Sequence, residues 1–387
     1  MRSPCPGLIH LRKYVLIHHQ LFFLYVSKMP NLLSNVILFL RFPLIIGVIL
    51  IHSTGEGIMN QGEEIMKNAG ILHQISTLIF SNILARTAVP LFFFIAGFLF
   101  FYKLKNFGFN EYKSNSYKRI KSLLIPYIIW NFIVIIIFYL KDLYFPQFTS
   151  GKHELMQNMS FKELLLCFWS YDNSGYPKCY QFWFIRDLMV VFFCLSPVIY
   201  WCIKKIKIFF VLLLGINWCF FEVVSFVGLS SAAMFFITLG AYFGINKIDF
   251  IELIQKHKTK LILLYSFISL IELVTTINGI QISYLHNINI LIGMLAIFSF
   301  TSILVSKNIK MNSLCVRSTF FVYASHGVLL IIVQKLLAKL IPIDNDVIAT
   351  IWYFGAGFLT TVLCIGLYFM SAKVLPKTTA IICGGRA

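Results

Sequence analysis

Apolar runs recur along the chain at about residues 34–53, 76–101, 122–143, 182–203, 208–222, 231–246, 261–277, 288–306, 319–341 and 347–370. A helix needs about 20 mostly apolar residues to cross a hydrocarbon core. The pattern therefore predicts an all-α membrane protein, a polytopic bundle of about ten transmembrane helices, with the fifth and sixth runs short for the task. Residues 14–26 are also apolar, but they carry His18, His19 and Gln20. At about 13 residues that stretch is too short to span, and it lacks the small-residue cleavage site of a signal peptide. The expected organisation is an extension of unknown role over 1–30, with Met29 as an alternative start, a membrane domain over 31–375 and a tail over 376–387.

Composition agrees with a lipid environment, since 59% of residues are hydrophobic and 12% charged, which leaves too little polar surface for a water-soluble fold. The formal net charge of +18 raises the question of nucleic acid. Placing the basic residues on the ten-run topology answers it. With the N-terminus cytoplasmic, 19 Lys and Arg fall in inner loops and the tail, against Lys67, Lys152, Lys162 and Lys178 outside. This is the positive-inside bias of short loops, so the expectation is both termini cytoplasmic in an inner or plasma membrane, lipid as a partner and no nucleic acid.

Nine cysteines show no Cys-x-x-Cys metal spacing, so no metal and no permanently bound cofactor are expected. Cys167 and Cys179 share an outer loop and are read either as a pair able to oxidise together or as two free thiols. Walker, nucleophile-elbow and zinc-protease motifs are absent.

The chemistry-bearing residues are those placed inside apolar runs, where an ionisable group is costly and marks function by default. Arg41 and His52 share the first run. Eleven residues is about three turns, so on a continuous helix they share a face within roughly 20° and stand ~16 Å apart. Arg86 lies inside the second run without an acid in its own helix, so it needs a partner from elsewhere or a wet cavity. Arg186 and Asp187 are adjacent, about 100° apart on a helix, and are expected to pair with different helices. Glu272 is a lone carboxylate in the seventh run and a candidate partner for one of the arginines.

Several segments resemble the integral-membrane acyltransferase 3 family. Phe39–His52 (FLRFPLIIGVILIH) is similar to its signature of a basic residue, ten residues and a histidine. Ala88–Leu99 (AVPLFFFIAGFL), Lys118–Trp130 (KRIKSLLIPYIIW), Tyr180–Leu188 (YQFWFIRDL) and Phe321–His326 (FVYASH) resemble further landmarks, in order along most of the chain. Members move acyl groups, usually acetyl, from coenzyme A to sugars of surface glycans. The resemblance implies acetyl-CoA or another acyl-CoA as co-substrate and a sugar or lipid-linked glycan as acceptor.

In that reading His52 is the catalytic base, since a neutral imidazole is suited to taking a hydroxyl proton. An acyl-carrying nucleophile or an interfacial histidine are the alternatives. Arg41, Arg86, Lys118 and Arg119 would hold the donor, the planar guanidinium matching phosphate oxygens; for Arg41 the bland alternative is snorkelling at the interface. Trp183, Arg186, Asp187, Glu272, Tyr323 and His326 are polar contacts to substrate or within the structure, with the Tyr323 hydroxyl placed to orient His326. Tyr144, Trp169, Tyr171, Tyr176 and Tyr180 offer flat faces for sugar rings or an interfacial belt, and residues 161–169 a short helix on the outer leaflet. The rival class is a transporter or flippase, in which the same charges line a path and no chemistry occurs.

Overall fold

Each apolar run is helical in the computed structural model, which describes residues 30–60, 63–104, 107–144, 156–171, 174–223 and 225–385. The extension expected over 1–30 lies, Pro30 apart, outside them. The helices are α1 (Asn31–Ile51), α2 (Ile71–Tyr102), α3 (Phe109–Tyr144), α4 (Tyr180–Ile206), α5 (Ile208–Phe221), α6 (Ser231–Ile245), α7 (Lys258–Ile277), α8 (Ser283–Ser306), α9 (Ser313–Leu340) and α10 (Asp346–Val374), followed by the short α11 (Pro376–Ile382). Among the described residues eight are long and apolar enough to cross a membrane, while α5 and α6 are apolar helices of 10–17 residues. These are the two runs expected to be short. The chain is an all-α, multi-pass membrane protein, with a two-residue strand pair (Met59–Asn60, Glu63–Glu64) and short helical turns between the spans.

α1 stands in the middle, packed against α2, α8, α9 and α10. α6 lies along α2 with almost no space between backbones, because Gly97, Gly240 and Gly244 face the partner helix. A Cβ on Gly240 would run into the carbonyl of Phe94, and one on Gly244 would sit 2.6 Å from the carbonyl of Phe98. Small residues are the means by which helices approach closely in lipid, where tails are as apolar as side chains. The start of α2 is capped from across the chain, since Asp346 accepts the backbone N–H groups of Gly70, Leu72 and His73 at 2.9, 2.7 and 2.8 Å. A carboxylate at that position also complements the helix dipole.

Prolines explain where the helices are irregular. Pro90, Pro126 and Pro197 sit inside α2, α3 and α4, and each is preceded by a widened π turn, at Leu78–Leu84, Ile120–Leu124 and Val191–Leu195. In α2 a 3₁₀ turn, Ala85–Thr87, completes the break. A proline has no N–H for the carbonyl four residues back and its ring crowds that carbonyl; widening the turn relieves the clash. The carbonyl freed by Pro197 is that of Phe193, and the Tyr112 hydroxyl of α3 donates to it.

Outward faces are apolar as lipid requires. Ile128, Phe132, Ile136, Leu140 and Leu143 form an exposed stripe on α3, and α7 is the most peripheral span, with 6% of its apolar window buried.

Candidate active site

A cavity of about 2030 Å³ runs through the bundle, with side chains of α1, α2, α3, α4 and α9 in its wall. Arg41 and His52 both reach it from α1, as their eleven-residue spacing requires. Eight of its lining residues are basic and one, Glu111, is acidic, so the space favours anions. The charges are not spread evenly. Four of them, Arg41, Lys103, Lys118 and Arg119, lie close together, and Arg86 stands beside His52.

At the first end Lys103, Lys118 and Arg119 gather with Arg41 around the cavity. Lys103 follows the last residue of α2, where the chain turns toward α3. Burial, and then the charges of Arg119, Lys118 and Arg41, pull its ammonium from the ordinary lysine value down to about 8. The Arg119 guanidinium rests over the stacked rings of Phe100 and Phe192, 5.5 and 5.1 Å from their centroids, a cation–π arrangement that fixes its plane. Four cations drawn together in one cavity wall favour a multiply charged anion such as a phosphate-bearing ligand.

At the other end His52 closes α1. Its carbonyl accepts from Gln334 Nε2 of α9 at 3.1 Å, while its ring is accessible along the cavity. The ring meets Tyr180 edge-on at 5.1 Å and lies 6.1 Å from the His326 ring at an interplanar angle of 29°. His326 is fully buried, with 0% exposure. Its Nδ1 is 2.7 Å from the Tyr323 carbonyl, and a carbonyl can only accept, so Nδ1 carries the proton and Nε2 holds a lone pair. That Nε2 is buried without a hydrogen-bond partner. His326 is not part of the cavity wall and lies behind the His52 ring.

The framework behind these rings is built by α4 and α9. The Tyr323 hydroxyl donates to the Gln181 carbonyl at 2.6 Å, and Gln181 Nε2 donates to the Ala324 carbonyl at 2.9 Å. The Tyr323 ring stacks on Phe182 at 5.5 Å and 4°. Gly327 leaves the room Gln181 needs, since a Cβ there would lie 2.5 Å from Gln181 Oε1. Trp183 lines the cavity with Tyr180 and packs edge-on against Phe93 at 6.1 Å.

Several expectations change. The Tyr323 hydroxyl does not orient His326; its carbonyl does, because on one helix the i−3 carbonyl lies closer to the imidazole than the phenol tip. Arg186 and Asp187, expected to pair apart, also meet each other at 3.6 Å. Arg186 in addition donates to the carbonyls of Trp169 and Gly175 and lies under the Trp169 ring at 5.3 Å, while Asp187 accepts from the Ser230 N–H at 2.9 Å. Both are buried and latch the 169–175 loop and the start of α6 to α4, away from the cavity wall. Among the described residues Glu272 pairs with no arginine: His286 Nδ1 and Asn289 Nδ2 each lie 2.6 Å from its oxygens, joining α7 to α8. Cys167 and Cys179 are free, buried thiols. Of the loop aromatics, Tyr176 and Tyr180 line the cavity, whereas Trp169 belongs to the Arg186 latch and Tyr144 is exposed at the end of α3. The short helix at Phe161–Leu166 is present, started by a Ser160–Glu163 capping box.

Lys103 and Gln181 escaped the sequence reading as individual site residues. The signal for Lys103 was available, as the first basic residue after the α2 apolar run. Arg86, grouped by sequence with the donor residues, instead lies among the His52 neighbours.

A family model, acyltransferase 3, described as an acyltransferase domain, matches residues 37–370. No curated protein and no solved structure matches the chain.

Proposed function

Starting from a chain that belongs to the acyltransferase 3 family, we propose that this membrane acyltransferase takes an acyl group, acetyl in the simplest case, from coenzyme A at the cytoplasmic face and delivers it to a sugar hydroxyl of a surface polysaccharide or lipid-linked glycan. The observation that carries the reading is one cavity with a four-cation cluster at one end and an accessible imidazole at the other. Arg41, Lys103, Lys118 and Arg119 take the nucleotide phosphates. The neutral arm of the donor then extends along the cavity and presents its thioester at His52.

His52 accepts the proton of the acceptor hydroxyl as the oxygen attacks the thioester carbonyl carbon. The new C–O bond forms, the carbonyl electron pair moves to oxygen, and its return breaks the C–S bond. The departing thiolate recovers the proton from the His52 imidazolium. His326, with its proton fixed on Nδ1 by the Tyr323 carbonyl, keeps an unprotonated nitrogen beside the His52 ring and favours one orientation of it. Tyr176 and Tyr180 supply flat faces where a sugar ring would rest. The membrane is the inner or plasma membrane, with the Lys103 end cytoplasmic.

The test is purified protein in lipid nanodiscs given acyl-CoA and glycan acceptor, with free thiol release and acceptor mass followed together. Wild type should release coenzyme A in step with acylation, and His52→Ala should do neither while inserting at normal abundance. Full activity in His52→Ala would remove it as the base, and transport of unmodified acceptor without thiol release would favour a flippase.

A further inference from the structure

Arg86 lines the cavity beside His52, apart from the cluster of Arg41, Lys103, Lys118 and Arg119. Its side chain is accessible to the cavity and makes no hydrogen bond or ion pair among the described residues. Its electrostatic neighbours are His52 and the Tyr176 hydroxyl. The backbone is shaped for that placement. Arg86 is the middle residue of the 3₁₀ turn after the π turn of α2, four residues before Pro90, so its position departs from regular helical phase. α1 packs beside this turn at Gly47, where a Cβ would lie 3.4 Å from the Ala85 side chain. An irregular turn inside a span is tolerated where it lines a cavity.

A permanent cation in such a place has to meet an anion to justify its desolvation. The donor brings its phosphate charges to the other end, and Arg41 and His52 are separated by ~16 Å of helix. What reaches Arg86 is an uncharged thioester. Resting on the acyl-transfer reading above, we propose that Arg86 is a catalytic residue that stabilises the oxyanion formed when the acceptor oxygen adds to the thioester carbonyl. As the C–O bond forms, the carbonyl π pair becomes a full charge on oxygen facing the guanidinium. The same pair re-forms C=O when the thiolate leaves, and His52 holds the hydroxyl proton until it passes to that thiolate. The interaction is strong in the transition state and weak in the ground state, which is the condition for raising kcat rather than binding.

The experiment compares wild type, Arg86→Lys and Arg86→Ala in nanodiscs, measuring kcat, donor KM, coenzyme A affinity and acceptor KM with a neutral and a carboxylate-bearing sugar. Arg86→Ala is expected to lose about 10²- to 10³-fold in kcat, the range for removing one oxyanion donor. Coenzyme A affinity should stay close to wild type, which also reports that the variant is folded, and added guanidinium ion should restore part of the rate. Arg86→Lys should fall between. Weaker coenzyme A binding at unchanged kcat would make Arg86 a donor anchor and overturn the proposal. A raised KM confined to the carboxylate-bearing acceptor would assign it to acceptor charge, with the same consequence. If wild type transfers acyl groups and both variants match it, this inference alone falls. If wild type transfers none, the acyl-transfer reading falls first and takes this one with it.

Discussion

Lys103 should give donor binding a pH dependence whose sign and position follow from its surroundings. Its proton is already loosened to about 8 by burial and by Arg119, Lys118 and Arg41, and a phosphate arriving among these groups would tighten it again. Below about pH 8 the ammonium is charged before the donor arrives and affinity is flat. Above that value binding must bring a proton with it, so Kd rises by at most about tenfold per pH unit. The rise stops once the contact itself is lost. A charge-assisted hydrogen bond is worth about 1.5–3 kcal/mol, or roughly 10- to 100-fold in Kd. Lys103→Met should show that weakening at every pH with the dependence gone. Lys103→Arg, charged throughout, should bind evenly from about pH 6.5 to about pH 9.5, a range that brackets the titration. In the unoccupied protein the signs reverse. A lysine whose folded value lies below its unfolded one destabilises the fold while charged, and stability rises as pH climbs from about 8 toward the unfolded value of about 10.4. Lys103→Met should therefore raise the thermal midpoint near neutral pH while weakening coenzyme A binding, opposite movements that general damage to the fold cannot produce. Calorimetric titration in nanodiscs reads the first and thermal unfolding the second. Identical pH profiles in wild type and Lys103→Met would refute the argument.

Two further outcomes test the architecture. Gly240→Ala places a Cβ against the Phe94 carbonyl and should cost about 1–3 kcal/mol, the usual penalty of overpacking, seen as a lowered thermal midpoint in detergent; an unchanged midpoint would mean α2 and α6 are not held that close. In a background lacking the nine native cysteines, Ser174→Cys is expected to react with an impermeant maleimide in intact cells, and Lys113→Cys only after permeabilisation, as the positive-inside bias requires. Equal labelling in sealed cells would overturn the orientation.

Much of the fold was legible because apolar run length is a direct physical requirement of the bilayer, and the two weakest runs are the two shortest helices, α5 and α6. Arg41 and His52 were legible for a similar reason: α1 stays helical through Pro43, so counting residues gives the right face. Counting failed where the turn was not regular. Arg86 follows a π turn and sits in a 3₁₀ turn, so its direction could not be obtained from 3.6-residue steps. Partners on other helices were the second blind spot. Glu272 is satisfied by His286 and Asn289 of α8 and Arg186 by carbonyls of a loop, choices set by tertiary packing. Sequence alone also treats a basic loop as topology, which concealed that Lys103 joins Lys118 and Arg119 where Arg41 reaches the cavity.

The sign of the cavity wall bears on the energetics of the cell as well as on the donor. A large cavity among membrane spans is a hazard to any membrane that stores a gradient, since each elementary charge crossing 100 mV releases about 2.3 kcal/mol. Eight basic residues and one acid lining this cavity repel sodium and hydronium ions by the same rule that makes rings of lysine and arginine reject cations in anion pores. Arg86 would then be a permanent positive barrier at the depth of His52. If the proposed anionic donor enters here, the same wall would admit it and discourage the leak of cations.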